Sequence, residues 1–474
     1  MGIQRRTFIK GAVGIGAGLI LPTDMVVGAN ERVNIAVCGI RAKGISHING
    51  FQNLPNVNVI ALCDPDESFF ESRSKGLPGV KCFKDYRKLL EMKDLDALVI
   101  ATPNHWHAAM TIAACQAGKH VYVEKPVSHS IWEGRKMCEA QEKYKRVVQA
   151  GTQQLSCPAV AACGKDIRAG KYGKVKWVHC FKLQTRKPIG KLSQPLVIPS
   201  HIDYNLWAGP APMDDIYRPS FHYDWHWDFR WGDGEMGNWC VHYTSDLCTM
   251  LGWDTMPDSV TSAGGRFNRN DAADTPNMLF SMMKYKDVPL TLEIRNLTIA
   301  TGSKRTPNHL KKRDGNIIMC EDGLIFMSRG GGKAFTPDGT TMIKQYKGNG
   351  GIGHRQNFID AIKANDHSIL NAPVEGSHIA SGICHLSNIS YQLGEESPEA
   401  LVRERMNEYE DIKSTVNEQL IQIKANDGDM NKIILGPKLT FDPKAERFTG
   451  NNAAAANDKL SYKMRKEFAI PAHV

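Results

Sequence analysis

Apolar residues in the first third of the chain fall into short continuous runs separated by segments of helical periodicity. Val33-Asn34-Ile35-Ala36-Val37-Cys38, Val57–Cys63, Ala97–Ala101 and His120–Val123 are β-rich runs that end at Gly, Asp, Thr or Glu. Runs without polar alternation suit parallel strands, which are covered on both faces. A helix-like segment opens near Gly44, and another runs through Ala117 to a stop at Gly118. This β-α-β-α-β order predicts a doubly wound parallel sheet. The pattern then changes. Val175–Leu183 reads as a strand, and Pro188–Pro199 as a Pro-rich connection. Residues 258–345 alternate apolar and polar positions between glycine turns, as in Val288–Ile294. Such alternation predicts strands with two different faces. Gly330-Gly331-Gly332 reads as a loop. Helical periodicity returns at Gln356–Ile362 and around His378–Leu393. Beyond Pro437 the chain reads as a loosely packed tail that wraps the surface or a neighbour. The expected organisation is a leader at 1–29, a first domain at 30–155, a second α/β domain at 156–436 and a tail at 437–474.

The leader carries Gln4-Arg5-Arg6-Thr7-Phe8-Ile9-Lys10, then a short Gly-rich apolar stretch and the small residues of Val27-Gly28-Ala29. This is a signal-peptide pattern, too short and Gly-rich for a membrane span, and its paired arginines resemble a twin-arginine leader. An exported, periplasmic protein is therefore expected. The 474 residues suffice for two full cores. The net charge of +9 is dispersed without a basic block or nucleic-acid-binding motif, which argues against nucleic acid as a partner. None of the 12 cysteines forms a C-x-x-C pair, so neither a zinc ribbon nor a thioredoxin-like site is expected, and most should be buried thiols.

Candidate chemistry starts at the end of the first strand. Gly39-Ile40-Arg41-Ala42-Lys43-Gly44 keeps the first and third glycines of G-x-G-x-x-G, with Arg41 in the middle place. The first glycine permits the tight turn, and the last lets helix and strand approach. Arg41, Lys43 and the helix amides suit a pyrophosphate. The second strand ends at Asp64, placed to bind a ribose 2′-hydroxyl and to repel a 2′-phosphate, which favours NAD over NADP. The next strands run into Thr102-Pro103-Asn104-His105-Trp106-His107 and Glu124-Lys125-Pro126, whose polar residues would lie over the ligand crevice.

The T-P-N-H-x-H and E-K-P stretches, following a modified glycine loop, resemble the glucose–fructose oxidoreductase, inositol dehydrogenase and rhizopine-catabolism (Gfo/Idh/MocA) family. The resemblance continues through Gly151-Thr152-Gln153-Gln154, Tyr204–Pro210, Gly237-Asn238-x-x-x-His242 and Leu439-Thr440-Phe441-Asp442. With the leader, it points to the exported Bacteroidetes-type branch. It implies a Rossmann domain followed by an open, largely antiparallel sheet that forms a homo-dimer or homo-tetramer. It also implies cofactor contacts from the glycine loop, Asp64, Thr102, Asn104, His107, Glu124 and Gln153.

Lys125 precedes proline, which restricts it to extended geometry. Its ammonium would stabilise developing alkoxide charge, a role the resemblance implies. Asn238 and His242 stand at i and i+4 and would share a helix face. Many relatives carry Asp where Asn238 stands, so His242 lacks that strengthening as a base. Asp246, a turn further on, is another candidate carboxylate. The aromatic stretch Phe221–Gly234 holds His222, Trp225 and His226, which suit the apolar faces and polar rims of a sugar. A metal at His222 and His226 lacks a supporting motif, so no metal is expected.

These features together predict an enzyme with tightly held NAD, since free NAD is scarce outside the cytoplasm. It would transfer hydride between a sugar or glycoside carbon, with C3 a candidate, and the nicotinamide. Two alternatives stand beside this reading. One is a redox-assisted glycosidase that oxidises, eliminates, adds water and reduces back. The other is a non-catalytic sugar-binding protein with structural NAD.

Overall fold

The computed structural model describes residues 32–409 and 413–474. The leader expected at 1–29 lies outside the described residues.

Six strands form the first sheet: β1 Val33–Cys38, β2 Val57–Cys63, β3 Lys81–Phe83, β4 Ala97–Ile100, β5 His120–Val123 and β6 Val148–Ala150. Their order is β3-β2-β1-β4-β5-β6, and every pair is parallel. The continuous apolar runs are explained by burial on both faces, for all of β4 and β5 is buried. The strand order reverses between β1 and β4, and the crevice above that point is where such sheets bind ligands. Short β3 had no apolar run to announce it, being largely exposed at the sheet edge.

Twelve strands form the second sheet. They are β7 Val175–Leu183, β8 Ser259–Gly265, β9 Met278–Tyr285, β10 Val288–Arg295, β11 Asp314–Cys320, β12 Leu324–Ser328, β13 Gly331–Phe335, β14 Met342–Lys347, β15 Glu395–Ser397, β16 Ile433–Leu435, β17 Leu439–Asp442 and β18 Arg447–Thr449. The main path runs β14-β13-β12-β11-β7-β10-β9-β8-β16-β15, with β17 beside β8 and β18 beside β17. Only β7 and β10 pair in parallel; the other neighbours are antiparallel. The expected α/β class, a Rossmann domain plus an open and largely antiparallel sheet, is what the structure shows. On one face, Val178, Cys180, Leu290 and Leu292 pack with Val241 and Leu247 of the helix Val241–Leu251 and Ile383 of the helix Val374–Gln392. On the other face, Phe280 and Met282 pack under Leu420 and Ile423 of the helix Lys413–Ala425.

Three expectations change. Gly331 and Gly332 lie in β13 rather than in a loop. The helix His354–Ala364, expected in the second domain, covers the first sheet, with Phe358 buried beside Phe51 and Tyr122. The tail is well packed: β17 and β18 extend the second sheet, and Phe468 lies edge-on to Trp106 of the first domain. All twelve cysteines are free thiols, eleven of them buried and Cys82 exposed. Among the described residues, no helix is long and apolar enough to cross a membrane.

Candidate active site

A cleft of about 430 Å³ opens over the strand ends of the first sheet and is closed from above by the second domain. Its floor is built by the turns after β1, β2, β4, β5 and β6. Gly39 takes φ +78°, and a Cβ there would lie 2.6 Å from the Ala101 carbonyl oxygen. At Gly44 a Cβ would meet the Gly39 oxygen at 2.0 Å, so the helix Ala42–Gln52 can begin against the turn only with glycine there. Both glycines of the sequence motif are thus required by contact, although Gly44 does not itself line the cleft. Ile40 is fully buried, and its N–H donates to Asp64 Oδ2 at 2.9 Å. Arg41 and Lys43 line the cleft, with the Arg41 guanidinium 5.5 Å from the Phe69 ring centre.

Asp64 accepts on its other oxygen from the Asp66 N–H at 3.0 Å. Burial pushes its carboxyl up to about 6, against those two amides. Glu124 is a hub. Its Oε1 pairs with His47 Nε2 at 2.9 Å and Lys43 Nζ at 3.4 Å, and accepts from Gln153 Nε2 at 3.0 Å. Lys43 and His47 hold its carboxyl well below the usual range despite complete burial. Thr102 Oγ1 is buried, lines the cleft and has no hydrogen-bond partner among the described residues. This orphaned hydroxyl, the Cβ-free turn at Gly39 and the anchored carboxylate at Asp64 fit a dinucleotide lying across the switch point.

Two expected cofactor residues also have internal tasks. Asn104 donates to Asp233 Oδ2 at 2.6 Å, linking the first domain to the second. Both ring nitrogens of His107 lie on backbone carbonyls, of Pro126 at 2.6 Å and Thr102 at 3.0 Å. His107 therefore ties the ends of β4 and β5 together.

Lys125 Nζ donates to the Asn238 backbone oxygen at 2.6 Å and reaches Asn238 Oδ1 at 3.4 Å. Burial pulls its ammonium down to about 8, with Glu124 opposing. Asn238 sits in a π-helical turn, Met236–Cys240, that precedes the helix Val241–Leu251. Such turns re-aim side chains and recur at functional sites. The i, i+4 pairing of Asn238 with His242 is replaced by pairing of Asn238 with Lys125. His242 lines the cleft and is 7% exposed, and its Nδ1 has no partner among the described residues. Burial, then the charges of Lys125 and Arg329, drive its pKa well below the ordinary value, leaving a neutral imidazole at neutral pH. Asp246, expected near substrate, lies instead beneath the site, buried and outside the cleft lining.

The aromatic stretch forms the roof. Trp225 and His226 stack at 3.6 Å between ring centres, and both line the cleft. His222 Nε2 pairs with Asp66 Oδ2 at 2.8 Å, binding the roof to the turn after β2. Sequence reasoning missed Asp66, because an acidic residue after a Pro turn looks like an ordinary cap. It also missed Arg329, which enters the cleft from the turn after β12. No local motif marks Arg329; only the tertiary fold brings it there.

Comparisons with known proteins agree with this geometry. Residues 33–152 match the family model described as "Oxidoreductase family, NAD-binding Rossmann fold". The inositol 2-dehydrogenase 4 of Saccharopolyspora erythraea is 27% identical over 174 residues, 36% of this chain and 52% of that protein. The alpha-N-acetylgalactosaminidase of Shewanella oneidensis is 28% identical over 172 residues, 30% of this chain and 37% of that protein. The matched stretch thus spans about half or less of these relatives. A levoglucosan dehydrogenase solved with NADH and levoglucosan shares the fold at TM-score 0.56 and 16% identity, over 75% of this chain and 96% of that one. The WlbA dehydrogenase of Bordetella pertussis, solved with NADH and UDP-GlcNAcA, does so at 0.56 and 16%, over 75% and 95%. Fold and crevice define a dinucleotide-binding Rossmann domain joined to a mixed-sheet domain. The chain's first domain is an NAD-binding Rossmann domain of the Gfo/Idh/MocA oxidoreductase family.

Proposed function

We propose that this protein is an NAD-dependent oxidoreductase that oxidises a hydroxyl-bearing carbon of a sugar or glycoside, C3 being the candidate position. The observation that carries the reading is one cleft lined by the dinucleotide turns, the Lys125 ammonium and the neutral His242 imidazole. Bound NAD supplies a nicotinamide carbon that accepts two electrons with one hydrogen, as hydride. The chain's own residues handle the proton and the charge. His242 takes the hydroxyl proton on its imidazole, which is free to accept because it is unprotonated at neutral pH. Lys125 donates a hydrogen bond to the same oxygen and stabilises its developing negative charge. Asn238 aims Lys125, through its backbone and side-chain oxygens. Asp64 would hold the ribose, and the unpartnered Thr102 hydroxyl would take a polar atom of the cofactor. Trp225 and His226 offer a flat platform for the C–H face of a sugar ring, as aromatic faces do for apolar surfaces.

A second reading is favoured by the relatives named as glycosyl hydrolase family 109 proteins and by the alpha-N-acetylgalactosaminidase. The same groups would then oxidise, permit elimination of the aglycone, add water and reduce back, without net redox change. Export through the twin-arginine route, supported by Arg5-Arg6 and the residues around them, belongs to the proposal, as does assembly into a homo-dimer or homo-tetramer.

The test is to purify the mature protein without added cofactor, denature it and assay the released NAD(H), while screening a glycoside panel by mass spectrometry. Released NAD with a product lighter by two hydrogens supports the oxidoreductase. Released NAD with free sugar and aglycone supports the glycosidase. A protein that retains no NAD and binds none when it is added would overturn both readings.

A further inference from the structure

A second cluster lies on the sheet face opposite Val178 and Cys180, away from the cleft. β7 and β10 run parallel with His179 beside Thr291 and Phe181 beside Glu293. Alternation puts His179, Thr291, Glu293 and Arg295 on one face. The connection between β10 and β11 then lays His309 over them. The backbones of His309 and Lys312 exchange hydrogen bonds at 2.9 and 2.7 Å, a tight turn that aims the His309 ring at the sheet. Glu293 Oε2 ends 3.2 Å from His179 Nε2 and 2.7 Å from His309 Nε2. The three atoms lie within 4.8 Å of one another, the one such histidine–carboxylate group among the described residues.

Thr291 Oγ1 lies 2.7 Å from His179 Nδ1 and 3.3 Å from the Val178 carbonyl oxygen, which fixes the orientation of the His179 ring. Arg295 donates to Glu293 Oε1 on the far side and reaches Glu418 at 3.1 Å, so Glu293 Oε2 is left facing the two imidazoles.

We propose that His179 Nε2, His309 Nε2 and Glu293 Oε2 bind a zinc-type divalent cation, which joins the 296–313 connection to the second sheet. Two imidazoles and one carboxylate are ordinary zinc donors at about 2.0–2.2 Å. A tetrahedral ion at such bond lengths separates its ligands by roughly 3.3 Å. The 3.2 Å pair already meets this spacing. His309, on a surface connection and 15% exposed, needs only a small outward shift. Its partial exposure leaves room for water as a fourth ligand. Thr291 supplies the partner that metal-bound histidines use to fix their tautomer. Phe181, stacked on His179 at 5.5 Å and edge-on to His309 at 4.9 Å, shields the inner side. This site does not depend on the redox reading.

The test is to strip the full-length mature protein with EDTA, dialyse it against zinc chloride and then against metal-free buffer, and count retained zinc. One zinc per chain is expected in the parent protein and in His367→Ala, which removes a partly exposed histidine elsewhere. His309→Ala should lose more than the roughly 10–100-fold in affinity typical of an outer-shell partner. Cobalt chloride should give the intense visible absorption of a tetrahedral site in the parent and not in His309→Ala. If His309→Ala fails to fold, trypsin cleavage of the parent at Lys304, Arg305, Lys311 or Lys312 decides the matter, since bound zinc should slow it at least about tenfold. Zinc retained equally by folded His309→Ala, no retained zinc in the parent, or cleavage unmoved by zinc would overturn the proposal.

Discussion

Lys125 and His242 share a cleft but are pushed down the pH scale for partly different reasons. Burial acts on both; Glu124 restrains the shift of Lys125, while Lys125 and Arg329 deepen that of His242. The base must be unprotonated, so activity is lost only as pH falls through the depressed pKa of His242, on the acid side of 6.5. The ammonium must be protonated, so activity is lost as pH rises through about 8. The profile of kcat/KM for glycoside oxidation should therefore be a plateau with its basic limb near pH 8. Lys125→Arg, whose guanidinium keeps its charge, should carry that limb upward. Asn238→Asp separates two assignments. A carboxylate beside Lys125 Nζ favours the ammonium, so the basic limb should move up while the acidic limb stays. Movement of the acidic limb alone would restore the Asn238–His242 pairing read from the i, i+4 spacing. His242→Ala should lower kcat about 10²–10⁴-fold, the usual share of general acid–base catalysis. Undiminished turnover would remove it from the mechanism.

Within the helix Val241–Leu251, Asp246 is one turn from His242 but turned into the core. It is 1% exposed, and neither oxygen has a hydrogen-bond partner among the described residues. Burial raises its carboxyl to about 8, with Arg329 opposing. A carboxyl that is protonated when folded and ionised when unfolded makes stability fall as pH rises between the unfolded and folded pKa values, here from about 3.8 to about 8. The slope for one proton is about 1.4 kcal/mol per pH unit. Asp246→Asn should thus raise Tm at pH 8, scarcely change it near pH 4, and flatten the pH dependence between. Equal effects at both pH values would mean that Asp246 does not titrate in this range. The helix also marks where the sequence was legible. The Asn238/His242 spacing was visible, but the π-helical turn was not, since Gly237 and Asn238 weaken a helix without specifying a wider turn. That turn passes Asn238 to Lys125. The parallel strands were legible because burial on both faces leaves an uninterrupted apolar run. The exposed edge strand β3 and the glycine-rich β13 were not, since neither carries that signature.

At the scale of the molecule, the cleft is assembled from distant parts of the chain, and this explains why only half of it was readable. The turns after β1, β2, β4 and β5 are local and follow strands with strong patterns. The roof residues His222, Trp225 and His226 stood out by aromatic density, whereas Arg329 and Asp66 acquire meaning only through tertiary contact. The tail was misread for the same reason. Residues 462–468 carry four charged positions and no apolar run, yet each anchor has a distant partner. Tyr462 donates to Glu133 at 2.9 Å, Arg465 donates to the Asn205 and Gly209 carbonyl oxygens at 3.1 Å, and Phe468 packs on Trp106 at 5.3 Å between ring centres. Trp106 lines the cleft, and its indole N–H donates to the carbonyls of Leu206 and Trp207 in the second domain. The last residues therefore brace a wall of the site. Phe468 is 6% exposed and lies beneath the Arg87 and Arg465 guanidiniums. Phe468→Ala should cost about 3 kcal/mol, the low end for a buried phenylalanine, because a chain end can close part of the gap. Chemical denaturation measures that loss. The same variant should also raise KM for NAD or sugar severalfold while the pH limbs stay in place, since Trp106 loosens but Lys125 and His242 keep their surroundings. A stability loss with unchanged KM would show a tail that only covers the first domain; a higher KM with unmoved limbs would show that the chain end holds the cleft in shape.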